Sequence, residues 1–171
     1  SSKFGLEFEY RDLTDPEATR AAASTVAQKL GGTDILLHLV GGYTGGEKLV
    51  DVPAVELSSM LDQHVWTTLN VVQAFVPGIE DSGRGRVIVV PHRDALSPRG
   101  NNVVYAAAKA AQEIMVQSLA QEFKGTGATA NVVLVRSIGE DPDRTTASKS
   151  TKTTPEEIAA LALYICSDDA A

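Results

Sequence analysis

The chain has 171 residues, with 22 acidic side chains against 15 basic ones and a formal net charge of −7. That length fits one domain, 1–171, and the acidic excess argues against a nucleic-acid partner, which needs clustered Lys and Arg. The single cysteine, Cys166, excludes an internal disulfide and fits a reduced, cytoplasmic setting. The longest apolar run, 158–166, is far shorter than the roughly 20 residues of a membrane-spanning helix, so we expect no membrane segment.

The first part of the chain alternates predicted strands and helices. Phe4 to Tyr10 alternates loosely and predicts a strand. Thr14 followed by Glu17 matches a capping box, which predicts a helix that runs to about Leu30 and ends at the glycine pair behind it. The apolar run from Asp34 to Val40 is typical of a buried parallel strand, and a glycine-rich loop follows it.

The rest of the chain continues this alternation. In chain order we predict a helix from Val55 to Val76 ended by Pro77-Gly78, a strand from Arg86 to Val90, a helix within Asn101–Phe123, a strand from Ala130 to Val135, a loop from Gly139 to Thr153, and a last helix opened by Thr154-Pro155-Glu156-Glu157. Strands separated by helices predict a parallel sheet covered on both faces, which is an α/β three-layer sandwich.

Tyr105 and Lys109 form the first motif that can carry chemistry. They are four residues apart in a predicted helix, so they share one helical face. An ammonium beside a phenol favours the phenolate and lowers the tyrosine pKa from about 10. Such a tyrosine can pass a proton to or from a substrate oxygen near neutral pH. Without context, the same spacing is more typical of a surface tyrosine beside a solvated lysine than of a catalytic pair.

Several segments, in order and nearly end to end, resemble the short-chain dehydrogenase/reductase family. They are Asp12-Leu13-Thr14-Asp15, similar to the acidic turn after the family's third strand; DILLHLVGG, similar to its fourth strand and loop; Ala74-Phe75-Val76-Pro77, similar to its fourth helix; GRVIVVPHRDAL, similar to its fifth strand; the Tyr105–Lys109 pair; and TPEEIAALALYICSDDAA, similar to its last helix. The family's glycine-rich G-x-G-x-x-G turn is absent. The resemblance therefore implies a Rossmann-like fold reduced in strand number, starting at the third strand and stopping before the seventh.

The resemblance also implies an activity and a set of roles. The activity is that of an oxidoreductase using NAD(H) or NADP(H) on a small carbonyl, alcohol or pteridine-like substrate, since GGYTGG and QHVWTT are similar to a branch resembling dihydropteridine reductase. By resemblance, Tyr105 is the general acid/base and Lys109 holds the nicotinamide ribose. The implied cofactor contacts are Asp12 and Leu13 near the adenine, Val40 and Gly41 near the ribose, and Tyr105 with Lys109 at the nicotinamide. A homodimer through the helices containing Trp66 and Ala110 is implied as well.

The three histidines occupy positions that the family fills with other residues. His92 stands where the family keeps its catalytic serine, and His64 stands where it keeps its catalytic asparagine. We expect the His92 imidazole to lie within reach of the Tyr105 hydroxyl and to bind a substrate oxygen in the serine's place. His64 is the second candidate, although it also fits simple packing along its helix. His38, within a buried strand, is expected to be a hydrogen-bonded core histidine.

Two alternative functions remain open. The histidine substitutions and the missing glycine turn fit a catalytically inactive family member that acts as a binding or assembly module. Alternatively, His64 and His92 converge on a metal. No carboxylate or cysteine accompanies them at metal-ligand spacing, so we expect no metal site.

Overall fold

A computed structural model describes residues 9–93, 97–139 and 152–170. Its α-helices are α1 (Pro16–Leu30), α2 (Ala54–Leu61), α3 (Thr67–Asp81), α4 (Val103–Glu122) and α5 (Pro155–Ile165). Its strands are β1 (Ile35–His38), β2 (Arg86–Val89), β3 (Thr129–Val132), β4 (Ser137–Ile138) and β5 (Lys152–Thr153). Most of the predicted strand from Phe4 to Tyr10 lies outside the described residues, and residues 9 and 10 are not in a strand. None of the described helices is long and apolar enough to cross a bilayer.

The main sheet is parallel, with strand order β1-β2-β3. The middle strand, β2, is buried along its whole length because both of its faces are covered. Val87 and Val89 pack with α3 and α4 on one face. Ile88 belongs to a second cluster on the opposite face, which α5 covers and where the half-buried Cys166 packs as a small apolar residue. The predicted three-layer α/β architecture is confirmed.

The start of α1 differs from the prediction, because Asp15 and not Thr14 caps the helix. The Asp15 carboxylate accepts hydrogen bonds from the backbone N–H groups of Glu17 (2.8 Å) and Ala18 (3.3 Å). The backbone N–H and the hydroxyl of Thr14 both donate to Asp12, at 2.9 and 2.7 Å, so that hydroxyl is already engaged. The end of α1 is as predicted, with a glycine in the left-handed region at φ 81°.

The long middle helix also departs from the prediction in two places. A π-helical turn, Asp62–Trp66, connects α2 to α3, and α3 continues through Pro77 to Asp81. Pro77 does not end the helix, since Val76 and Ile79 on either side of it are buried in the core and their packing offsets the lost backbone hydrogen bond. The π turn holds one extra residue, which changes the face that the following side chains present.

The last helix begins as predicted, with a full capping box. The Thr154 hydroxyl accepts from the Glu157 N–H at 3.3 Å, and the Glu157 carboxylate accepts from the Thr154 N–H at 3.0 Å. The predicted loop before it is wrong at its end, because β5 pairs in parallel with β4. Residues 140–151 of that loop lie outside the described part of the chain.

Candidate active site

A cavity of about 450 Å³ opens beyond the carboxyl ends of the three main strands. This is the edge at which parallel α/β sheets bind their ligands. Tyr105 and Lys109, one turn apart near the start of α4, line the cavity together. His64 reaches it from the π turn, and His92 reaches it from the end of β2. The structure therefore brings the four predicted catalytic residues to one cavity.

Tyr105 lies at the centre of a group of aromatic rings. Its ring is 5.0 Å from the ring of Tyr43, 5.7 Å from that of His64 and 5.9 Å from that of His92, measured between centroids. All three contacts are edge-on, which is a favourable arrangement for aromatic pairs. The His92 and Tyr105 rings are therefore neighbours, and the reach of the His92 imidazole to the Tyr105 hydroxyl stays a prediction.

His92 is held in place by its backbone. It forms an isolated parallel bridge with Val135, and the N–H of Arg93 donates to the Val135 carbonyl at 3.0 Å. These contacts extend the pairing of β2 with the segment behind β3 by a few residues. The imidazole therefore projects from a fixed part of the sheet edge.

His64 is buried and neutral, and it fixes the glycine-rich loop. Its Nε2 lies 2.9 Å from the carbonyl oxygen of Gly42, which only accepts, so Nε2 carries the proton. The imidazole packs so closely on Gly41 that a Cβ at that position would collide with it. Burial, followed by the charge of Lys109, lowers the pKa of His64 to about 4. Packing along its own helix is thus only part of the role of His64.

Lys109 is a buried ammonium, with 6% of its surface exposed. Its Nζ donates to the Oε1 atom of Gln112 at 3.0 Å. Burial lowers the pKa of Lys109 to about 8, because the charged form is disfavoured away from water. The group is therefore mostly charged at neutral pH, close to the range in which it titrates.

His38 is a hydrogen-bonded core histidine, as predicted. It is 5% exposed, and its Nε2 lies 3.0 Å from the hydroxyl of Thr68 on α3. Burial, and to a lesser degree the charge of Lys109, lowers its pKa to about 4. His38 does not line the cavity that contains Tyr105.

Four of the six residues predicted to contact a cofactor lie in a second cavity of about 360 Å³, and the other two, Tyr105 and Lys109, line the first cavity. Asp12, Leu13, Val40 and Gly41 all line the second cavity, and Gly41 lines the Tyr105 cavity too. The Asn70 amide donates to the Leu13 carbonyl at 2.9 Å, which ties this turn to α3. Hydrogen bonds from Thr14 lower the pKa of Asp12.

Comparison with known proteins assigns nearly the whole chain to one family. A family model described as enoyl-(acyl carrier protein) reductase matches residues 2–171. The chain belongs to the short-chain dehydrogenase/reductase family. A solved short-chain dehydrogenase from Burkholderia cenocepacia J2315, in complex with NADP, superimposes with a TM-score of 0.79 at 26% identity, covering 94% of this chain and 69% of that one. The Rossmann-like fold follows from that likeness.

Two of the curated relatives that the chain matches are dehydrogenases. The 1-deoxy-11-beta-hydroxypentalenate dehydrogenase of Streptomyces avermitilis is 32% identical over 124 residues, covering 71% of this chain and 46% of that protein. The 7alpha-hydroxysteroid dehydrogenase of Escherichia coli K12 is 26% identical over 168 residues, covering 91% of this chain and 65% of that protein. The chain thus spans between about half and two thirds of the length of these relatives.

Several residues of this short-chain dehydrogenase/reductase site are not predicted by the sequence. Tyr43, Arg99 and Arg136 line the Tyr105 cavity. Gln112 accepts a hydrogen bond from Lys109 Nζ. Gln112 could have been found, since it lies three residues after Lys109 on the same helical face. Within the described ranges, no group of three or more His, Cys, Asp or Glu side chains is arranged to hold a metal ion.

Proposed function

We propose that this short-chain dehydrogenase/reductase is an NAD(P)-dependent oxidoreductase that interconverts a carbonyl and an alcohol, or reduces a pteridine-like ring, on a small molecule. The observation that carries the proposal is the position of Tyr105 on the cavity wall, one helical turn from the buried ammonium of Lys109. The family, its dehydrogenase relatives and the NADP-bound neighbour support the same reaction class.

Tyr105 serves as the general acid of the proposed reduction. Its hydroxyl donates a proton to the substrate oxygen while negative charge develops there, and the Lys109 ammonium stabilises the phenolate that remains. In the oxidation direction the phenolate takes the proton back. A nicotinamide cofactor, when bound, supplies or accepts the hydride. A buried ammonium acts strongly here, because little water screens it.

The two histidines have different proposed roles. His92, beside the Tyr105 ring, orients the substrate oxygen, in the position where the family uses a serine. His64 acts through the backbone, since its hydrogen bond to Gly42 holds the loop that borders both cavities. A neutral imidazole suits both tasks better than a charged one, because a second cation would repel Lys109.

The described residues fit the two ends of a dinucleotide better than its centre. The cavity of Asp12, Leu13 and Val40 suits the adenosine end, and the Tyr105 cavity suits the nicotinamide end. Gly41 lines both cavities, and its lack of a side chain makes room for the His64 imidazole that packs on it. The sequence contains no G-x-G-x-x-G turn for the pyrophosphate, so tight binding by these residues is not expected.

A homodimer is part of the same proposal. Trp66 is half exposed on the π turn, and Val55 on α2 and Ile114 on α4 are largely exposed as well. Ala106 and Ala108 on α4 are buried within the chain, so they are not exposed for such a contact. Burying the exposed apolar side chains against a second copy is the expected outcome. Sedimentation that shows only a monomer at micromolar concentration would contradict it.

The test of the proposed function is a single hydroxyl deletion with a matched control. Purified chain is assayed for oxidation of NADH and NADPH against aldehydes, ketones and a quinonoid pteridine. Tyr105→Phe should abolish turnover with the fold intact, whereas Tyr164→Phe, at an exposed position of α5, should keep it. Equal turnover in both variants contradicts the role of Tyr105. A natural chain inactive on every probe favours the binding-module alternative.

A further inference from the structure

A series of buried hydrogen bonds between uncharged side chains starts at Lys109 and runs beneath the Tyr105 cavity. The Lys109 Nζ donates to Gln112 Oε1 at 3.0 Å, and Gln112 Nε2 donates to the Thr68 hydroxyl at 2.8 Å. The Thr68 oxygen in turn lies 3.0 Å from His38 Nε2. Gln112 and Thr68 are each 1% exposed, so water does not compete for these bonds. This series of hydrogen bonds connects α4, α3 and β1.

The proton positions in this series of hydrogen bonds follow from counting donors and acceptors. The Thr68 hydroxyl donates its single hydrogen to the His64 carbonyl at 2.6 Å, so it accepts from its other neighbours. Gln112 must therefore present its NH₂ to Thr68, and its second hydrogen points at the same His64 carbonyl, 3.4 Å away. With the NH₂ held there, the Gln112 oxygen can face only Lys109. His38 donates from Nε2.

Lys109 has no negative partner among the described residues. The carboxylate one residue beyond Gln112, Glu113, accepts from Gln117 at 2.8 Å and forms no ion pair with Lys109. The charge of Lys109 acts on His38 from β1 and on His64 from the π turn. The titratable and charged side chains that line the cavity together with Lys109 are Tyr43, His64, His92, Arg99, Tyr105 and Arg136. Both histidines are neutral near pH 7.

We propose that Gln112 is a positioning residue, which anchors Lys109 Nζ through one hydrogen bond and leaves its positive charge uncompensated for Tyr105. An ammonium has three N–H donors, and Gln112 takes one of them, which leaves two for the phenol oxygen and a ligand hydroxyl. A carboxylate in the place of Gln112 would hold the ammonium equally well but would neutralise its field. This inference rests on the proposed role of Lys109, yet its test does not require turnover.

The first measurement uses the natural chain. The Gln112 side-chain amide resonances are followed by NMR while Lys109 is titrated through its side-chain carbon and nitrogen shifts. The proposal expects slow exchange of the Gln112 NH₂ protons with water, and an amide shift that follows the Lys109 titration. Rapid exchange, or an amide signal indifferent to Lys109, would overturn it even if every variant failed to fold.

The second measurement compares isosteric variants. Gln112→Glu should move the Lys109 titration to higher pH, because a carboxylate favours the ammonium. Gln112→Met should move it to lower pH, because the acceptor is lost. Gln121→Glu makes the same substitution at an exposed position far along α4, so it should leave the titration unchanged. A titration that does not move in a folded Gln112→Glu variant overturns the proposal.

The effect on Tyr105 separates positioning from simple packing. In Gln112→Glu, the ammonium is retained but its charge is compensated, so the Tyr105 phenol should titrate at higher pH than in the natural chain. A merely structural Gln112 would leave the Tyr105 titration where it is. If the Lys109 and Tyr105 titrations move as expected but the chain turns over no substrate, the proposed function is refuted and the role of Gln112 stands. Turnover with an unmoved Lys109 titration would refute the role of Gln112 alone.

Discussion

At the scale of single residues, the buried charge of Lys109 serves the proposed function but lowers the stability of the fold. Its ammonium is buried beside a neutral glutamine, and a buried charge without a counter-ion lowers the stability of a fold. Lys109→Met keeps most of the volume and removes the charge. We expect it to raise the free energy of unfolding by about 1–2 kcal/mol, after allowing for the lost Gln112 bond.

Urea denaturation at neutral pH measures that change. The matched control is Lys124→Met at an exposed position, which should change stability by less than about 0.5 kcal/mol. Loss of stability in Lys109→Met as large as that of a core truncation would show that Lys109 is a structural residue.

The buried histidines make the fold sensitive to acid. The pKa values of His38 and His64 are lowered to about 4, from 6.5. Between those values the unfolded chain binds protons that the folded chain does not, so the free energy of unfolding falls as the pH drops through this window. His38→Gln removes one of these protonations and should make the fall shallower. Urea midpoints at about pH 7.5 and about pH 5 check this. A fall as steep as in the natural chain would contradict a neutral His38.

Residue types and spacing predict only part of the site. Tyr105, Lys109 and His92 stand out because each has a chemical group at a position that the family uses. Gln112 does not, because glutamine on a helix is ordinary until its burial is known. The Gly42 bond of His64 depends on a loop conformation that no sequence pattern encodes.

At the scale of secondary structure, the sequence predicts the features that depend on local contacts and does not predict those that depend on packing. Gly31 and Thr154 mark their helix ends correctly, because a cap is a contact between near neighbours in sequence. The passage of α3 through Pro77 is decided by the core on either side, which the sequence pattern does not show. The π turn likewise has no signature of its own.

The cap of α1 offers a test at this scale. Asp15→Ala removes the acceptor for two backbone N–H groups and should cost about 1 kcal/mol of unfolding free energy. Thr14→Ala, one residue earlier, removes only a side-chain bond to Asp12 and should cost less than half as much. Thermal or urea unfolding of both variants decides between the caps, and a larger loss in Thr14→Ala would restore Thr14 as the capping residue.

At the scale of the whole molecule, the layered architecture was predictable and the finer pairing was not. Alternating strands and helices fix a parallel sheet with two covered faces, and such a sheet brings its carboxyl ends to one edge. The assignment of Asp12, His92 and Tyr105 to one ligand site came from the resemblance to the family and not from the sheet pattern. The two-residue strands β4 and β5 carry no periodic pattern, so the sequence did not predict them.

The charge of the whole chain bears on cofactor binding. A dinucleotide is anionic, the net charge of the protein is −7, and the sequence contains no G-x-G-x-x-G turn to bind the pyrophosphate. We expect calorimetric titration with NAD(H) or NADP(H) to show weak binding or none to these 171 residues. Low-micromolar affinity for either dinucleotide would mean that other groups of the chain bind the pyrophosphate.

The titration of Tyr105 itself tests the proposed proton-transfer pair most directly, and it is followed by NMR of isotope-labelled tyrosine without cofactor or substrate. We expect Tyr105 to ionise at lower pH than the exposed Tyr10 and Tyr164, because the Lys109 ammonium favours its phenolate. In Lys109→Met the difference should disappear. A Tyr105 that titrates together with the exposed tyrosines in the natural chain would contradict the central claim that this pair is arranged for proton transfer.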